Sequence, residues 1–244
     1  MLKNNNIMLI LCGHGSSFNL YKQDFMKNHQ LIEKTIHANC SFCFIEKNEP
    51  NIENCLQNIK KKGEGKIFFF PFLLFNGEHF EKDIKIQIKK LSRSLKLEIK
   101  LIEKISLIED ILPIMKKKIS KILKKDKLNI LVTFSSRSKN SKVSFELKQY
   151  TKKLAKNLNI FKAYSYFVGE ETKFVKETKN LKSEDYFFIF QPIFLFKGYL
   201  QNKNLNSLKK LECKDYYIFD TLMTIDEIKS LVANRLKSIF HIAD

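Results

Sequence analysis

PFLLFNG at residues 71–77 returns 121 positions later as PIFLFKG at 192–198. Each copy closes an apolar run, Ile67–Phe72 and Tyr186–Gln191, and each breaks at a glycine. Runs of this length, bounded by Pro and Gly, read as buried strands leaving a sheet. A second echo lies upstream. LILCGHGSS (9–17) matches NILVTFSSRS (129–138), each leaving its strand into a Gly/Ser-rich turn. Laid over one another, the halves put Phe134 where His14 stands, Val168 near Glu46 and Leu200 where His79 stands. A duplicated four-strand unit explains such self-similarity better than one long sheet.

Working outward, further strands are expected at Ile7–Cys12, Ser41–Ile45, Leu97–Ile102, Asn129–Thr133, Lys162–Val168 and Tyr216–Phe219. Amphipathic stretches lie between them at Leu20–His37, Ile52–Lys61, Phe80–Leu91, Ile108–Leu123, Ser141–Asn157 and Thr224–Phe240. Strand–helix alternation predicts an α/β fold with parallel sheets covered by helices. Two tandem, similar domains follow, each with a four-stranded parallel sheet: residues 1–126 and 127–244, joined in the charged stretch Lys124–Lys127.

The chain has 244 residues, 44% of them hydrophobic, which is enough to bury a core and argues against disorder. Its apolar runs fall well short of the roughly 20 residues a membrane span needs, and the N-terminus carries no cleavable leader pattern. A cytoplasmic location is expected. Five cysteines do not suggest a disulfide framework. Cys40-x-x-Cys43 has no second pair to complete a zinc site, and CSFCFI reads as strand, where cysteine behaves as a small hydrophobe. The net charge is +18, yet Arg93, Arg137 and Arg235 are the only arginines. Lysine, Asn, Ile and Phe richness without Trp is the pattern of an AT-biased genome. The residual charge favours an anionic partner. Base reading and bidentate phosphate contacts lean on Arg, and no helix-turn-helix or zinc-finger pattern is present, so nucleic acid is not expected.

Open α/β sheets bind ligands beyond the carboxyl ends of their strands. Three metal-competent side chains stand there in the first half. His14 follows strand one in CGHGSS, Glu46 closes strand two in FCFIE, and His79 follows strand three in NGEHF. Each alone has a bland reading: a polar loop residue, a solvated carboxylate, a cap neighbour. Together, two imidazoles and a carboxylate make an open site for a borderline divalent ion such as Fe, Co, Ni or Zn. Asp83, one helical turn after His79, could orient that imidazole. His29, His37 and His241 lie on helical segments and read as surface or structural. GEGK (63–66) lacks Walker spacing and precedes a strand, so it reads as a turn rather than a phosphate loop.

On these residues the chain resembles the class II sirohydrochlorin chelatases in their two-domain form. ILCGHGSS, FIEKNEPNIENCL and KIFFFPFLLFNGEHFEKDI are similar to that family's three motifs, and the likeness covers most of residues 7–85. Residues 129–204 match more faintly, with the usual second-half GRGSS turn replaced by TFSSRS. The resemblance implies the chelatase-like fold, with two similar domains facing across a cleft. It also implies insertion of Co²⁺ or Fe²⁺ into sirohydrochlorin without ATP, in cobalamin or sirohaem synthesis. His14 and His79 are then metal-binding histidines and Glu46 the active-site carboxylate. The metal is substrate, no cofactor is required, and the partner is a small tetrapyrrole, with no nucleic acid or membrane. A duplicated chain can close its own cleft as a monomer, and an oligomer stays open as the other arrangement. A carrier that kept the fold and lost turnover is the alternative.

Overall fold

The computed structural model describes residues 7–63, 66–75, 79–138, 140–181, 184–208 and 214–242. The first repeat runs β1 (Ile7–Gly13), α1 (Asn19–Ile36), β2 (Asn39–Phe44), α2 (Ile52–Lys61) and β3 (Lys66–Pro71). A π-helical segment, His79–Ile86, then continues into α3 (Gln87–Leu95), and β4 (Glu98–Leu101) closes the sheet. A second π-helical segment, Leu107–Ile111, leads into α4 (Leu112–Ser120). The second repeat follows with β5 (Leu128–Ser135), α5 (Ser141–Asn157), β6 (Lys162–Phe167), α6 (Glu171–Thr178) and β7 (Tyr186–Pro192). It ends with α7 (Tyr199–Leu208), β8 (Tyr216–Ile218) and α8 (Asp226–Ile242).

The strands form two parallel four-stranded sheets ordered β2-β1-β3-β4 and β6-β5-β7-β8. All eight expected strands are present to within two residues of their predicted ends. Helices α6 and α7 were not foreseen. The chain folds as two compact units, Met1–Ile105 with Lys229–Asp244, and Ser106–Ile228. The expected division between residues 126 and 127 marks where the second repeat begins, and the compact units cut across it. The segment after β4 joins the second unit, while most of α8 joins the first.

In the first unit β1 is apolar on both faces because helices cover both. Met8, Ile10 and Cys12 share one core with Cys43, Ile67 and Phe69 from the sheet and with Cys55, Leu56, Ile59, Ile88 and Leu91 from α2 and α3. Cys12 and Cys43 are register partners and fully buried. Burial pushes the Cys43 thiol well above its ordinary range, so it packs as a hydrophobe. On the other face Phe25 of α1 meets Phe44 at 5.0 Å and Phe72 at 6.1 Å, ring centre to ring centre. Tyr21 joins them 6.3 Å from Phe44. Tilted aromatic contacts of this kind add to area burial. In the second unit Ile130, Val132, Phe134, Phe188 and Phe190 pack with Tyr166, Phe174 and Leu181.

The two sheets superpose by register. Cys12 pairs with Pro71 and Cys43; Phe134 pairs with Pro192 and Tyr166. Phe134 is therefore the counterpart of Cys12, and Ser136, not Phe134, stands where His14 does. By the same register Gly169 stands at Glu46's position and Val168 at Ile45's. Bonds beyond the strands agree. Ile45 N–H donates to Gly13 O at 3.0 Å, as Val168 N–H does to Ser135 O.

His29 of α1 is one of the helical histidines, but it is buried, 6% exposed, at 5.3 Å from the Phe42 ring. Neither ring nitrogen makes a hydrogen bond of good geometry among the described residues, although the Cys40 backbone lies near enough to oppose the loss of the proton. Burial pushes its pKa down, with the Glu33 carboxylate opposing. The unfolded chain then binds this proton more readily than the folded one, so stability holds above about pH 6.5 and falls as pH drops below it. Urea titrations of the wild type between pH 7.5 and 5 are expected to show this loss. His29→Phe is expected to remove that component of it, and an unchanged pH dependence in the variant would assign the loss elsewhere.

Candidate active site

β1 and β2 end side by side, with Gly13 paired to Phe44. The chain then continues the contact past the sheet. Ile45 N–H donates to Gly13 O and Glu46 N–H to His14 O, both at 3.0 Å. These bonds carry two side chains into one place. His14 Nδ1 lies 3.7 Å from Glu46 Oε1, with the two side chains 39% and 42% exposed, respectively. The pair is open to water, so its Coulomb attraction is screened and contributes little to stability.

The glycines of the CGHG turn have separate physical reasons. A Cβ on Gly13 would lie 2.8 Å from both the Tyr21 hydroxyl and Phe25 Cε2. Gly15 has φ +94°, and a Cβ there would stand 1.7 Å from the Glu46 carbonyl oxygen. Only glycine allows both that backbone conformation and the close approach of the second loop. Around it several peptide groups are held by side chains. Gly15 N–H donates to the Tyr21 hydroxyl at 3.1 Å, and Ser16 N–H donates to Asn48 Oδ1 at 2.7 Å. His14 Nδ1 is 3.1 Å from Gly15 O. A carbonyl can only accept, so Nδ1 carries the proton in the neutral ring and the lone pair sits on Nε2. Burial drives the Tyr21 hydroxyl far above its ordinary pKa, so it stays a neutral phenol.

The third expected residue, His79, opens the π-helical segment, eight residues after β3 ends at Pro71. β3 neighbours β1 directly, and Phe72 N–H extends their ladder to Cys12 O at 2.8 Å. Lys104 pins the outgoing loop by donating to Leu74 O at 2.6 Å. The His79 side chain lies outside the described residues. π-turns concentrate at functional sites because their extra residue re-aims side chains. Asp83 is half-buried within the same segment. Among the described residues no three His, Cys, Asp or Glu side chains surround one metal position. The structure thus brings His14 and Glu46 together and puts the His79 backbone on the adjoining strand's exit. Sequence reasoning missed Tyr21 and Asn48, whose partners are backbone amides.

A parallel sheet of order 2-1-3-4, with His14 and Glu46 just beyond the carboxyl ends of β1 and β2, is an α/β sheet of the kind that binds ligands at that edge. Residues 8–122 match the CbiX family model. The chain is 32% identical over 117 residues to the sirohydrochlorin cobaltochelatase of Sulfolobus acidocaldarius, covering 48% of this chain and 93% of that protein. It is 33% identical over 78 residues to the protein of that name from Saccharolobus solfataricus, spanning 59% of the latter. SirB from Bacillus subtilis with Fe³⁺ has a similar fold, with TM-score 0.79, 19% identity and coverage of 95% of this chain and 94% of that one. The chain belongs to the CbiX family.

Gly15→Ala tests the turn. The strained φ alone costs about 1–3 kcal/mol, and the overlap with the Glu46 carbonyl must push the two loops apart. Urea denaturation is expected to show that loss, and the refolded variant is expected to bind Co²⁺ more weakly in a spectroscopic titration. Wild-type stability and affinity together would show that the loops do not need this approach.

Proposed function

We propose that the chain inserts a divalent metal, cobalt or iron, into sirohydrochlorin, as its curated relatives' name describes. The observation that carries this reading is the His14–Glu46 pair at 3.7 Å, on the strand ends where the family's motifs fall. Metal insertion exchanges M²⁺ for two pyrrole N–H protons, so it needs imidazole nitrogen to present the ion and a base to take protons. His14, with its lone pair on Nε2, and His79 are the proposed metal ligands. Glu46, beside Nδ1 of His14, is the proposed proton acceptor and the third proposed metal ligand.

The ion is substrate, and the reaction requires no nucleotide or other cofactor, because metal–nitrogen bonding supplies the driving force. The positive charge of the chain suits a tetrapyrrole rimmed with carboxylates. No helix among the described residues is long and apolar enough to cross a membrane. Cys12, Cys40, Cys43 and Cys55 are free thiols, which supports work in a reducing compartment such as the cytoplasm.

The test is metallation of sirohydrochlorin by purified protein with Co²⁺ and Fe²⁺, followed by absorbance. Multiple turnovers are expected, and stoichiometric binding without turnover would replace the enzyme with a carrier. Glu46→Gln is expected to lower the rate on the order of 10²–10⁴-fold while keeping the fold. His14→Ala is expected to abolish turnover. Full activity in either variant removes that residue from the mechanism.

A further inference from the structure

The peptide between Gly15 and Ser16 is held from both sides. Its N–H donates to Asn48 Oδ1 at 2.7 Å, and its carbonyl oxygen lies 3.1 Å from His14 Nδ1. The neighbouring peptide, His14–Gly15, is held likewise, its N–H on the Tyr21 hydroxyl and its carbonyl on Glu46 N–H. Asn48 itself is fixed by its own N–H, which donates to Glu46 O at 2.7 Å across Lys47, whose φ is +63°.

We infer that Asn48 is a positioning residue for His14, acting through the Gly15–Ser16 peptide to keep the imidazole proton on Nδ1 and the lone pair on Nε2. The relay is continuous: Asn48 oxygen, Ser16 N–H, Gly15 carbonyl, His14 Nδ1–H. Rotating the peptide would withdraw the carbonyl from Nδ1 and release the ring to its other tautomer. Polar groups behind a metal-binding imidazole act in this way generally, by fixing tautomer and ring direction.

The second unit shows that the turn alone does not need Asn48. Ser16 Oγ accepts Phe18 N–H at 3.2 Å, and Ser138 Oγ accepts Asn140 N–H at 3.2 Å. Tyr21 N–H donates to Phe18 O as Val143 N–H does to Asn140 O. The same turn therefore forms twice. In the first unit, residues 45–51 separate β2 from α2 and include Asn48. In the second, residues 168–170 alone separate β6 from α6. The longer loop accompanies the histidine, whose place in the second unit is taken by Ser136.

This inference rests on the proposed role of His14, and its test reads the imidazole and the bare ion without sirohydrochlorin. Asn48→Leu removes the acceptor at similar volume, and Asn48→Asp keeps an acceptor oxygen. Nitrogen-15 NMR of the ring is expected to show Nδ1–H in the wild type and in Asn48→Asp. In folded Asn48→Leu the Nε2–H form is expected to rise and Co²⁺ affinity to fall on the order of 10-fold. The proposal is overturned if folded Asn48→Leu keeps the wild-type tautomer and Co²⁺ affinity. It is equally overturned if Asn48→Asp is as impaired as Asn48→Leu. A wild type that holds the Nδ1–H tautomer and binds Co²⁺ but does not metallate sirohydrochlorin would defeat the reaction assigned above and leave this role of Asn48 intact.

Discussion

The first unit depends on one close approach, the backbone of the loop after β2 lying against Gly15 in the turn after β1. Parallel strands bring their carboxyl ends to the same edge, but sheet spacing alone does not bring the following loops into contact. Here the ladder continues for two more bonds, through Ile45 and Glu46, and the approach is so close that no side chain fits at position 15. That constraint turns two loop residues far apart in sequence into a pair. It also explains why the turn spends two glycines around one histidine.

Duplication supplies an internal comparison. Both units keep the strand order, the first bond beyond the sheet and the serine-capped turn. They differ where chemistry is assigned. His14 becomes Ser136, Tyr21 becomes Val143, and the seven-residue loop bearing Glu46 and Asn48 becomes three residues containing Gly169. Features shared by the halves are those the fold needs, and features confined to the first are those the proposed reaction uses. The hydrogen bonds from Gly15 and Ser16 N–H to Tyr21 and Asn48 belong to the second group.

Much of this was legible in the sequence, for identifiable reasons. Central parallel strands are covered on both faces, so they read as apolar runs, and all eight were found. Helices α6 and α7 were missed because ETKFVKET and YLQNKNLNSL are short, with few apolar positions to mark a face. The repeat alignment set His14 against Phe134, two residues away from its structural counterpart Ser136. A slip of two keeps every strand residue on the same face, so hydrophobic alternation cannot reveal it. The match of Ser16 with Ser136 in that alignment reinforced the slip. His14 and Glu46 were found because strand ends are predictable. Tyr21 and Asn48 were not, because a residue that accepts from a backbone N–H leaves no motif of its own.

X-ray absorption spectroscopy of the Co²⁺-loaded chain tests the central assignment most directly, since it counts imidazole nitrogens bound to the ion. The account predicts two in the wild type, falling to one when His14 or His79 is replaced. A cobalt centre with no imidazole ligand, or one unchanged by the loss of His14, would contradict it.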